Sequence, residues 1–107
     1  MKRLEHAVVI IAGSIRIDPT ARDELISTAI AVVRELRKQV GCTQVTLSSD
    51  LEDPGVLHLF QTWESQEALS AAIGSRHIDA VRDHEGRTGV REMALLKYAV
   101  ASVGRLV

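Results

Sequence analysis

The chain has 107 residues and a formal net charge of −1, from 13 Lys plus Arg against 14 Asp plus Glu, which fits one domain and excludes an electrostatic nucleic-acid binder. Its three aromatic residues, Phe60, Trp63 and Tyr98, are too few for a base-stacking platform. Apolar residues make up 46% of the chain, a large share for a domain this small, so part of that surface is expected to be buried against a second subunit.

Met1, Lys2 and Arg3 ahead of Ala7 to Gly13 mimic a secretory leader, but that apolar run is only about seven residues and Arg16 and Asp18 follow closely. With Cys42 as the only cysteine there is no intramolecular disulfide, and the chain reads as cytoplasmic. No stretch approaches the roughly twenty apolar residues of a membrane span, so no membrane partner is expected.

His6 to Ile17 carries Val and Ile on both alternating faces, the pattern of a central strand covered on both sides. Asp18 before Pro19 reads as an N-cap followed by proline at the first helical position, where a missing N–H costs nothing. Leu25, Ala29, Val32, Val33, Leu36 and Val40 then recur at helical spacing. Asp23 and Glu24 at the start, with Arg34, Arg37 and Lys38 near the end, complement the helix dipole, and Gly41 supplies the stop.

Cys42 to Leu51 alternates like a half-exposed strand, with Val45 and Leu47 on one side. Glu52, Asp53, Pro54 and Gly55 form a turn that reverses the chain into a third strand, Val56 to Glu64. On it His58, Phe60 and Thr62 face one way and Leu57, Leu59, Gln61 and Trp63 the other, so neither side is plainly a solvent face. Ser65 caps a short helix with the stripe Ala68, Leu69, Ala72 and Ile73. Gly74 ends it before a second helical piece from about Arg76 to His84 and a loop from Glu85 to Gly89. Val90 to Val103 reads as the closing strand.

This order, strand, helix, strand, strand, helix, strand, is the split βαβ pattern of a ferredoxin-like α+β domain spanning residues 1–107: an antiparallel sheet with both helices on one face. Packing of the uncovered sheet face against a second copy, as a homodimer, would satisfy the two-sided strands.

Metal and nucleotide chemistry find little support. His77 and His84 stand seven residues apart, about 10 Å along a helix, too far for one ion. Cys42 begins a strand with no basic neighbour in sequence and reads as a small buried hydrophobe. Neither G-x-G-x-x-G nor G-x-x-x-x-G-K-[ST] occurs.

Gly41-Cys42, then Glu52-Asp53-Pro54 in the turn, Trp63-Glu64-Ser65 at the end of the third strand, Glu67-Ala68-Leu69 after it and Ser75-Arg76-His77 further on form an ordered set. In this set the chain resembles the antibiotic biosynthesis monooxygenase family. The resemblance implies a dimeric α/β barrel with an oxidative pocket between sheet and helices that accepts quinols or aromatic polyketides without a prosthetic group. Haem-degrading relatives rely on an asparagine, and this chain contains none, so neither haem nor any other cofactor is expected. Within that frame Trp63 is the candidate apolar wall for a small aromatic or quinol-like ligand, and Tyr98 a residue to orient a substrate oxygen. His77 is the candidate catalytic base, because an imidazole titrates near neutrality. The alternative is a non-catalytic dimer of the same fold that binds a small ligand or serves only a structural role.

Overall fold

A computed structural model describes residues 2–73 and 89–107, the side chains of residues 2–7 excepted. The chain runs β1 (Lys2–Ile17), α1 (Arg22–Arg37), β2 (Cys42–Ser49), β3 (Val56–Trp63), α2 (Gln66–Ile73) and β4 (Val90–Val103). The expected second helical piece and the loop to residue 88 lie outside the described residues. The strands make one antiparallel sheet in the order β2-β3-β1-β4. The long Val- and Ile-rich β1 is therefore central, paired on both sides, as its composition requires.

Local chemistry sets each boundary. The side chain of Asp18 accepts from the backbone N–H and the hydroxyl of Thr20, and these bonds hold its carboxyl below the usual carboxylate range. Pro19 opens a 3-10 turn, Pro19–Ala21, so α1 begins one turn later than the proline alone suggests. Its far end also falls short of the sequence pattern. Lys38 N–H donates to the Glu35 carbonyl, tightening the last turn, and Gly41 reverses the chain at φ +84°. Val40, expected on the apolar stripe, thus lies past the helix and is 90% exposed. In the hairpin turn, Asp50 Oδ2 accepts from the N–H groups of Glu52 and Asp53, and Asp53 Oδ1 from that of Gly55.

The sheet is covered unequally. Cross-strand pairing puts Val9, Ile11, Leu57, Leu59, Trp63 and Val45 on one face, where Val9, Val45 and Trp63 pack with Leu36 of α1 and with Leu69 and Ala72 of α2 in a single core. The opposite face carries Ile10, Ala12, Phe60, Leu96 and Tyr98, with Leu96 61% and Tyr98 48% exposed. Ala12 pairs with both Phe60 and Leu96, and Ile10 with Tyr98, so these side chains form one continuous apolar patch. α1 is tied to the edge strand by arginines: Arg37 donates through Nε and Nη2 to the Val45 carbonyl at 3.2 and 2.9 Å, and Arg22 donates to Ser49 Oγ.

Candidate functional site

The helix-covered face holds Trp63, the aromatic residue of the motif. Trp63 ends β3 and is fully buried. Its indole Nε1 donates to Gln61 Oε1 at 2.9 Å, so the polar edge of the ring is satisfied two residues away on the same face. The Gln61 amide nitrogen has no partner among the described residues, so its N–H groups can donate to a ligand. The next residues across that row are Ile11 on β1 and Lys97 on β4. Lys97 Nζ donates to Gln66 Oε1 at the start of α2, 3.0 Å away. This ammonium is held by a neutral amide, with no carboxylate within ion-pair distance among the described residues. Ser65 Oγ accepts from the Ala68 N–H and starts α2 over Val9 and Trp63, as its cap position implies.

The three residues singled out from sequence are not all brought together. Val9 pairs with Trp63 on one side and Ala99 on the other, which puts Tyr98 on the opposite sheet face. Within one chain Trp63 and Tyr98 cannot line the same pocket. His77 lies outside the described residues. Cys42 is half-buried against the core, and burial pushes its thiol pKa up, the direction of an unreactive cysteine. No group of three or more metal-ligating side chains occurs among the described residues.

Sequence reading missed a hydrogen-bonded pair at the hairpin. His58 Nε2 lies 2.8 Å from Asp50 Oδ1 across the hairpin. This bond, with the Asp53 and Glu52 N–H groups on the other oxygen, lowers the Asp50 carboxyl to about 2. The available signal was the turn itself: reversal at Pro54-Gly55 brings residues 50 and 58 to opposite sides of the hairpin mouth.

An antiparallel sheet of this order with two helices on one face defines a ferredoxin-like α+β protein. Residues 8–84 match the family described as antibiotic biosynthesis monooxygenase, and the chain belongs to this family. A candidate antibiotic biosynthesis monooxygenase from Deinococcus radiodurans has a similar structure, with TM-score 0.86 at 17% identity over 92% of this chain and 98% of that one. The Rv0793 protein of Mycobacterium tuberculosis is 28% identical, with TM-score 0.79 over 92% and 98% of the two chains. A conserved protein of Methanosarcina mazei Go1 gives TM-score 0.80 at 18% identity over 87% and 92%. Likeness to the Deinococcus and Methanosarcina proteins establishes the fold alone. No curated protein matches the sequence. No helix among the described residues is long and apolar enough to cross a membrane.

Proposed function

We propose that this protein is a cofactor-independent monooxygenase that oxidises a quinol or polycyclic phenol with molecular oxygen and works as a homodimer. The observation that carries this reading is the family match over residues 8–84. The reaction asks little of the protein. A deprotonated hydroquinone reduces oxygen itself: one oxygen atom bonds to a ring carbon, the O–O bond breaks, and the other atom leaves as water with the displaced hydrogens, giving a hydroxyquinone. The site need only position the ring, remove a proton and exclude bulk water.

In this reading His77 takes the phenolic proton. Lys97, held by Gln66 beside Ile11, stabilises the oxygen that has lost it. The Gln61 amide orients a second oxygen, and Trp63 fixes the wall through Gln61. Tyr98 belongs to the other sheet face, where Phe60 and Leu96 would meet a second copy. A stable contact there buries more than roughly 1,000 Å² in total.

Oxygen uptake with a panel of hydroquinones and polycyclic phenols tests the reading. Turnover should exceed the enzyme-free rate, and His77→Ala should slow it at least ~10-fold, the low end for a positioned general base. Wild-type turnover in folded His77→Ala removes that residue's role. One observation favours a second reading, a non-catalytic ligand-binding dimer: Trp63 is completely enclosed and its N–H already bonded. No uptake across the whole panel would make that reading the better one.

A further inference from the structure

The helix side of the sheet also carries an opening that this reading leaves unused. A cavity of about 300 Å³ lies between α1 and the hairpin strands. Leu47 and Leu57 form its sheet wall, and Ile26, Ile30 and Val33 its helix wall. It sits away from Trp63: Leu57 and Trp63 stand six positions apart on β3, about 20 Å of strand. Ile30 is 46% exposed, so the apolar wall reaches solvent.

Charge at the opening is one-sided. Arg34 and Arg37, three residues apart and thus on one helix face, both line the cavity, and no carboxylate does among the described residues. Arg34 has no hydrogen-bond or ion-pair partner among the described residues. The nearest acid in sequence, Glu35, is engaged by Lys38 at 3.2 Å. The hydrogen bonds of Arg37 run from Nε and Nη2 to the Val45 carbonyl, which fixes its guanidinium, and Nη1 has no partner among the described residues. Two adjacent uncompensated cations repel each other, and an anion seated between them removes that repulsion while gaining charge-assisted hydrogen bonds.

We infer that this cavity binds a small amphipathic carboxylate, a medium-chain fatty acid, with its chain between Ile26, Ile30, Leu47 and Leu57 and its head on Arg34 and Arg37. A cavity of this volume holds about ten non-hydrogen atoms at the roughly 30 Å³ that a liquid water occupies, the size of octanoate. A neutral quinol gains nothing from the guanidinium groups. An inorganic phosphate would leave the apolar walls unused.

Methyl-resolved NMR titration of the full chain with octanoate and with 1-octanol tests this. Octanoate should give saturable shifts at Ile26, Ile30, Leu47 and Leu57 while Val9 and Leu69, beside Trp63, stay in place. Octanol, lacking the charge, should bind about tenfold more weakly. Arg34→Gln should weaken octanoate by about threefold to fivefold, the scale of an exposed charge pair, and leave octanol unchanged. Ile30→Phe, at a half-exposed position that need not disturb folding, should block both by filling the cavity. Equal affinity for octanol, unchanged affinity in Arg34→Gln, or shifts centred on Val9 and Leu69 would overturn the inference. So would shifts that follow protein concentration instead of octanoate, which would place a second copy in the groove. None of these arms measures oxygen uptake, so the inference and the monooxygenase reading fail independently.

Discussion

Substituting Gly13 by alanine should damage the sheet at its centre. A Cβ built there meets Ala94 O at 1.9 Å and both Ala94 C and Leu95 Cα at 2.9 Å. All three atoms are backbone, so no side chain can rotate away. Reaching ordinary contact, about 3.4 Å or more, requires β1 and β4 to part by about 1.5 Å, enough to lose neighbouring ladder hydrogen bonds. Overpacking costs about 1–3 kcal/mol and each lost bond about 1 kcal/mol, while alanine recovers up to ~1 kcal/mol by restricting the unfolded chain. The net loss is about 2–4 kcal/mol, or roughly 10–30 °C in Tm for a domain near this size. Trp63, the sole tryptophan and fully buried, reports unfolding directly, so urea titrations at one protein concentration suffice. Gly55→Ala is the control, because its nearest contact, Ile17 O, is 3.2 Å away and the change should cost under about 1 kcal/mol. Gly13→Ala within about 0.5 kcal/mol of wild type would refute the argument that β4 backbone crowds this position.

Other expectations follow from the same structure. Asp50, held at about 2 against an ordinary 3.8, contributes stability that is fully present above the ordinary value and lost as pH falls toward 2; Tm against pH should lose part of its acid slope in Asp50→Asn, and carboxyl NMR should place Asp50 well below the exposed Asp and Glu residues. Leu96→Lys puts a charge into the open apolar patch and should shift the species seen by light scattering from dimer to monomer at micromolar concentration; a wild-type monomer would sink the dimer proposal. Trp63→Phe removes the bond to Gln61 and should raise KM more than it lowers kcat, read from quinol-dependent oxygen uptake in a variant first shown to be folded; a pure kcat loss would contradict a wall role.

Most of the fold was legible because its signals are local. Asp18-Pro19, Gly41, Pro54-Gly55 and Ser65 each act within a few residues, and the structure places an element boundary at each of them. Val40 was misread because helical periodicity continues past the point where the backbone tightens at Lys38. The candidate site was less legible. Trp63 and Tyr98 were grouped by residue type, whereas their faces are set by cross-strand register, which depends on how distant strands align. Lys97 was passed over for the same reason: nothing near it in sequence reveals that it shares a face with Gln61 and reaches Gln66. Arg34 and Arg37 read from sequence as complements to the helix dipole, and packing against Leu47 and Leu57 turns them toward a cavity.

The alternation along β1 and β4 bears on how this protein can change length over evolutionary time. Ile10 and Ile11, or Leu96 and Lys97, are sequence neighbours serving opposite faces. Losing one residue from the middle of either strand would therefore exchange the open patch for the helix-covered row along everything beyond it. In β1 the damage would double, since that strand is paired with both β3 and β4. Among the described residues, pairing is irregular between Arg3 and Val8, Arg16 and Ile17, and Cys42 and Gln44. Those are the positions where a bulge can absorb an insertion, so relatives should differ in length there and keep the middle of each strand free of gaps.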